Sequence, residues 1–192
     1  MLDIPEEVIR KHLDQDEKLL WSGKPRSGIV FRSSDIFMIP FSLMWGGFAI
    51  FWEISVLSMP AEKAGPVAII FPLFGIPFVI VGLYMIFGRF YLDAHQRQKA
   101  AYGITNSRII IISGVFSQSI KSLNLKTLSD ITISEKADGS GTISLGPSQM
   151  ASWFFTGTPW PGMDKFCPPS FDLIDDAKQV YDIIRKTQNT SS

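Results

Sequence analysis

The sequence predicts a membrane α+β protein, in which a two-helix transmembrane hairpin is inserted in a small antiparallel β domain that ends on a capping helix. Three observations predict it. Two apolar runs, at 36–58 and 66–88, are each long enough to cross a bilayer. Short β-rich runs bounded by turn residues follow the second of them. The last stretch, 172–187, carries apolar residues at helical spacing.

The first span, IFMIPFSLMWGGFAIFWEISVLSM from Ile36 to Met59, holds a single charge, Glu53, and the second, from Pro66 to Gly88, holds none. At about 1.5 Å per residue either covers a hydrocarbon core of about 30 Å. The 59–65 connector is too short to form a domain, so both termini fall on one side of the membrane. Lys24, Arg26, Arg32, Arg89, Arg97 and Lys99 lie near the terminal ends of the spans and only Lys63 lies on the loop. This bias directs both termini to the cytoplasm. Glu53, near the loop end of its span, is expected to reach toward the far interface, and as one acid without an ionisable partner it makes no proton relay. Pro72, Gly75 and Pro77 permit a bend or a close helix approach. Trp52 fits an interfacial belt, whereas Trp45 lies too deep for one and marks a protein contact.

The flanks read as one β domain. Asp3-Ile4-Pro5-Glu6 resembles a capped helix start, followed by Val8, Ile9, His12 and Leu13 at helical spacing. Leu19–Gly23 is an orphan strand that needs partners from beyond the hairpin, which makes 1–35 and 89–192 parts of one fold. Tyr102–Gly114 reads as a hairpin turning at Thr105-Asn106-Ser107, with Asn106 suited to a left-handed turn position. Further strands are expected at Ser117–Leu125, Asp130–Glu135 and Thr142–Leu145, with Asp138-Gly139-Ser140-Gly141 as a turn. In the terminal helix Asp172 is the expected cap, Leu173, Ile174, Ala177, Val180, Tyr181 and Ile184 share a face, and Arg185 and Lys186 close the last turn.

The pattern Tyr102-x-Ile104-Thr105-Asn106-x-Arg108-Ile109-Ile110-Ile111-x-x-Gly114, with Ser122-Leu123-x-Leu125, Leu128-x-Asp130-Ile131, Asp138-Gly139-Ser140-Gly141-Thr142-Ile143 and Ile174-x-Asp176-Ala177-x-x-Val180-Tyr181, resembles the bacterial pleckstrin-homology-like (PH) domains of small membrane proteins. The leader Leu20-Trp21-Ser22-Gly23-Lys24-Pro25 ahead of a helical hairpin resembles the same family. The resemblance implies a PH-like antiparallel β-barrel or sandwich of about seven strands with a C-terminal capping helix. It also implies a bacterial inner-membrane location and a binding or scaffold role, as an accessory subunit or adaptor. It carries over no catalytic residue.

Composition limits the alternatives. Lys plus Arg and Asp plus Glu both number 18, so no net field favours nucleic acid. His12 and His95 are far apart and Cys167 is the single cysteine, so neither a metal site, a cofactor nor an internal disulfide is expected. No Gly-x-Ser-x-Gly elbow and no phosphate-binding loop occurs, so no enzyme is expected. The expected partners are the bilayer and either another protein or a second copy. Candidate contact residues are Trp153, Phe154, Phe155, Trp160 and Phe166 in an aromatic insertion at 147–169, which is compatible with covering a strand edge, entering the membrane interface or meeting a partner. A second reading, an anionic-lipid-sensing domain, draws on Arg97, Lys99, Arg108, Lys121 and Lys126, which are dispersed rather than clustered. A third, a small channel or transporter subunit, rests on Glu53 alone.

Overall fold

The computed structural model describes residues 5–32, 34–60, 65, 67–114, 118–147 and 168–191. The chain forms two compact units, a β unit built from both ends and a helical unit centred on Ile29–Asp93.

In the β unit a short helix α1 (Pro5–Arg10) leads to β1 (Leu19–Gly23). After the helical hairpin come β2 (Ala101–Thr105), β3 (Arg108–Ser113), β4 (Ser119–Asn124), β5 (Ile131–Glu135), β6 (Gly141–Leu145), β7 (Ser170–Ile174) and α5 (Ala177–Ser191). The strands form two antiparallel sheets, ordered β1-β2-β3-β4 and β5-β6-β7, so the architecture is an open sandwich and not a closed barrel. The orphan strand finds its partner: Trp21 pairs with Ile104 and Gly23 with Tyr102.

Strand alternation sorts the β3 isoleucines onto two faces. Ile109 and Ile111 face a core shared with Tyr102, Ile143, Phe171 and the α5 residues Ala177, Val180 and Ile184. Ile110 and Ile112 face the other way, where Ile9 of α1 covers them. This cover requires Gly103, since a Cβ there would stand 2.7 Å from Ile9 Cγ2. The aromatic centre is Phe171, whose ring stacks on Tyr102 at 4.7 Å and meets half-buried Trp21 at 5.6 Å.

Three local expectations are corrected. Phe171–Ile174 is strand, not the first turn of the terminal helix, which begins at Ala177 and runs to Ser191 rather than ending at 187. Asp172 is therefore no helix cap, and its carboxylate accepts from the Thr142 hydroxyl at 3.1 Å. The break arises at Leu173 and Asp176, whose positive φ values of 47° and 49° no helix continues through. Asn106, finally, does not take a left-handed conformation. Thr105 organises that turn instead, its buried hydroxyl accepting from the Ser107 and Arg108 amides at 3.2 and 3.0 Å.

The helical unit contains α2 (Asp35–Leu57) and α3 (Val67–Leu83), the second continued by a π-helical turn (Tyr84–Gly88) and α4 (Arg89–Gln98), whose end enters the β unit. Two helical runs, Asp35–Leu57 and Ile69–Gln98, are long and apolar enough to span a membrane. The helices run through Pro40, Pro72 and Pro77. They meet along a seam of small residues: Gly46 and Gly82 approach so closely that a Cβ on Gly82 would lie 2.8 Å from the Gly46 Cα. Gly47, off the seam, has open space around it.

Candidate functional site

In the β unit the residues of the β2–β3 turn converge on Glu17. Its carboxylate takes a bidentate pair from Arg108, Nε at 2.9 Å and Nη2 at 2.8 Å, and hydroxyls from Thr105 at 2.6 Å and Ser107 at 3.1 Å. The Glu17 side chain is only 3% exposed. Burial pushes the carboxyl up, but the hydrogen bonds from Arg108, Thr105, the Asp14 amide and Ser107 together outweigh it and hold it at about 2. Arg108 also donates to the His12 carbonyl at 3.0 Å, while the Asn106 side-chain oxygen accepts from the Lys18 amide at 3.0 Å and the Asn106 amide donates to the Lys18 carbonyl at 3.1 Å. The Thr-Asn-x-Arg motif thus fastens the segment before β1 to the hairpin that follows the membrane-length helices.

A second fastening lies at the opposite end of β1. Arg26 bonds both Asp138 and Asp175 at 2.5 Å, and its amide donates to the Leu173 carbonyl at 2.9 Å. The Ser140 hydroxyl, the Arg26 guanidinium and the Ser140 amide depress the Asp138 carboxyl well below the ordinary range, and its two partners raise Arg26 in turn. Arg97 is buried and donates to the carbonyls of Arg26 and Gly28, both at 2.7 Å.

These contacts decide how the five candidate lipid-binding cations are placed. Arg97 and Arg108 are spent on internal bonds. Lys121 pairs with Ile111 and so projects from the sheet face opposite to Arg108, while exposed Lys126 lies in the short 3-10 turn after β4 and exposed Lys99 just beyond α4. The structure does not bring the five together. The aromatic candidates Trp153, Phe154, Phe155, Trp160 and Phe166 lie outside the described residues. A shallow groove of about 480 Å³ between the β5–β6 turn and α5 is lined by Glu135, Asp176, Asp182, Lys178 and Lys186, of mixed charge. Among the described residues no cluster of three or more His, Cys, Asp or Glu is placed to hold a metal.

In the helical unit the seam is polar at its ends. Asp35 and Arg89 form a buried ion pair at 2.6 Å, with side chains 8% and 6% exposed, and the Arg32 amide also donates to Asp35 at 2.6 Å. Arg32 in turn bonds Asp93 at 3.0 Å. At the other end Glu53 turns inward, not toward the interface: its carboxylate fills the space left by the missing side chain of Gly75, with one oxygen buried and unbonded. Trp45 lies between the helices against Phe41 and Phe78, at 6.3 and 6.1 Å. In the sequence alone Arg32 and Arg89 are visible only as topology signals. The hint to a pairing was the acids Asp35 and Asp93, at the base of each helix.

Two antiparallel sheets with a terminal helix, and Tyr102 in their core, are the part of the implied PH-like architecture that the structure shows, without a closed barrel. The family model described as the bacterial PH domain matches residues 54–187. The chain belongs to the bacterial PH domain family. The match takes in the end of α2, all of α3 and α4, and every strand after β1. No curated protein and no solved structure matches this bacterial PH chain. The PH domain is in general a non-catalytic binding module, and the clustered polar residues of this one are used to fasten its parts.

Proposed function

We propose that this bacterial PH chain is a membrane-anchored binding and scaffold module, an accessory subunit or adaptor that presents its β unit to a protein partner at the cytoplasmic face of the inner membrane. One observation carries the anchoring. The helices are apolar on the outside: Ile36, Phe37, Phe48, Phe51, Ile69 and Leu73 are each more than 60% exposed. In their most apolar stretches only 22% and 17% of the residues are buried, the reverse of a soluble core helix. A bilayer is the solvent such a surface fits, and the basic residues at its base orient both termini to the cytoplasm.

The binding role is supported by family membership and by the aromatic segment with Trp153, Phe154, Phe155, Trp160 and Phe166. Three measurements test the proposal. Carbonate-washed membranes should retain the chain, and an impermeant maleimide should reach a Lys63→Cys residue in a Cys167→Ser background, but not Cys167 itself, in intact cells. A chain released by carbonate, or Cys167 labelled from outside, would overturn the anchoring or its orientation. Photocrosslinkers at Trp153 and Trp160 should capture one discrete partner band that disappears when Phe154 and Phe155 are both replaced by Ser. Crosslinking to lipid alone would refute partner recruitment.

A further inference from the structure

Among the described residues Arg89 is the most buried cation of the helical unit, and its bonding is incomplete. Of its guanidinium nitrogens, Nη1 is bonded to Asp35, whereas Nε and Nη2 are buried without any hydrogen-bond partner among the described residues. These two are not an arbitrary pair. Nε–H and the adjacent Nη2–H point the same way and form the side-on fork with which arginine grips two oxygens of one carboxylate or phosphate. Burying such donors without hydrogen bonds is costly, and the pair is shaped to receive two oxygens of one anion.

Its surroundings select the ligand. One face of the guanidinium lies on the Phe90 ring at 4.3 Å, and Phe90 is edged by the exposed side chain of Phe31. The π-helical turn ends immediately before Arg89, a departure from regular helix that is frequent at functional sites. Beside Asp35, Ile36 and Phe37 are 71% and 75% exposed, and Phe87 and Tyr91 flank Arg89 with 69% and 73% exposure. The fork therefore sits where the polar base of the hairpin gives way to its apolar surface. Given the membrane anchoring proposed above, on which this step rests, that is the level at which a bilayer places its phosphates.

We infer that the Nε/Nη2 edge of Arg89 binds the phosphodiester of a phospholipid in the cytoplasmic leaflet, with Asp35 fixing the guanidinium from its other side. The lipid is thereby a bound component of the hairpin and not only its solvent. Phe31 and Phe90 shift to admit the phosphate, and the acyl chains run along the exposed faces of α2 and α3.

The test uses the full-length chain, delipidated in a mild detergent, with native mass spectrometry and thermal unfolding as readouts. The probes are dioleoyl phosphatidylglycerol, dioleoylglycerol, which has the same chains but no phosphate, and inorganic phosphate. Retention of one phosphatidylglycerol per chain with a raised unfolding temperature, and neither effect from dioleoylglycerol, is the expected result. Arg89→Lys keeps a charge for Asp35 but has no fork, and should weaken phosphatidylglycerol retention at least tenfold. Should that variant fail to fold, the double variant Arg89→Gln, Asp35→Asn removes fork and ion pair together and should show the same loss. Equal retention of the two lipids, or undiminished retention by a folded variant, would overturn the inference. Stabilisation by inorganic phosphate as strong as by the lipid would assign the fork to a soluble anion instead. Carbonate extraction separates this step from its premise: a chain that stays in the membrane yet ignores the phosphate sinks only the lipid site, and one that is released sinks the anchoring.

Discussion

The bond between Glu17 and Arg108 joins sequence on either side of the hairpin, and its removal should have a calculable effect. The perturbation is Glu17→Gln, with Arg108→Met as its complement. In the folded chain the Glu17 carboxyl is held at about 2, against an ordinary 4.5. Because the folded value is the lower one, the stabilisation is complete above the unfolded value, fades as the pH falls through 4.5 and is gone below 2. The interval corresponds to about 3 kcal/mol at neutral pH. Asp138 is also depressed and loses its contribution in acid, so the quantity to measure is the difference between wild type and Glu17→Gln. Denaturant unfolding of the full chain in detergent, between pH 7 and pH 2, should show that difference to be about 3 kcal/mol at neutrality and close to zero at the acid limit. Arg108→Met, which leaves the carboxylate buried with only hydroxyls and an amide around it, should cost about 3–5 kcal/mol at neutral pH. Amide exchange at 101–113 should accelerate in both variants. A Glu17→Gln chain with the pH profile of the wild type would refute the reasoning, since the carboxylate would then be contributing nothing that an amide cannot.

Other consequences of the fold are tested more simply. Trp21→Ala removes an indole that is half-buried against Phe171 and should destabilise the β unit by about 2–3 kcal/mol, below the range for a fully buried aromatic; no change in unfolding would place Trp21 outside the core. A fragment beginning at Ala94 lacks α1 and β1, leaves β2 without its outer partner and should show little amide protection, whereas cooperative unfolding would mean that β1 is dispensable. Gly103→Val should expel Ile9 and speed exchange at residues 5–13, at a cost of about 1–3 kcal/mol. Gly82→Leu should push the two membrane-length helices apart and lower the unfolding temperature in detergent, while Gly47→Leu, which meets nothing within 4 Å, should leave it unchanged.

How much of this was legible in the sequence depended on how local each cause is. The two long apolar runs declare themselves by length and composition, and α2 begins and ends within one residue of the predicted 36–58. The β2–β3 hairpin was legible because isoleucines crowd on both sides of a polar turn, and the pairing of β1 followed from the physical need of a lone strand for a partner. The start of the last helix was not legible. Phe171 to Ile184 carries apolar residues that satisfy a helical period and, in its first part, a strand period as well, and only the sheet partner Ile143 and the positive φ at Leu173 and Asp176 separate the readings. The ion pairs were hidden for a different reason. Arg26 finds Asp138 and Asp175 across 112 and 149 residues of chain, and Arg89 finds Asp35 across 54, distances at which spacing carries no information.

The arginines that the topology count used are the ones the fold then occupies. Arg26, Arg32, Arg89 and Arg97 are four of the six basic residues at the terminal ends of the spans, and each is bonded internally. No contradiction follows, because on the proposed topology the bias acts during insertion, before the partners have met, and it counts Lys and Arg with little regard to nearby acids. On that topology Asp35 and Asp93 do not cancel the signal during insertion, and in the folded chain they neutralise Arg89 and Arg32. On the proposed topology the same four side chains first orient the hairpin, and in the folded chain they tie down its base or the segment leading into it. A consequence separates the two roles. Arg32→Lys preserves the positive count and should preserve orientation, yet lysine offers Asp93 a single point charge in place of a planar fork, so the variant should insert correctly and unfold more easily. Maleimide labelling of a loop cysteine reports the first property and thermal unfolding in detergent the second. If Arg32→Lys inverted the hairpin, or if it unfolded like the wild type, the division of labour between insertion and folding would be wrong.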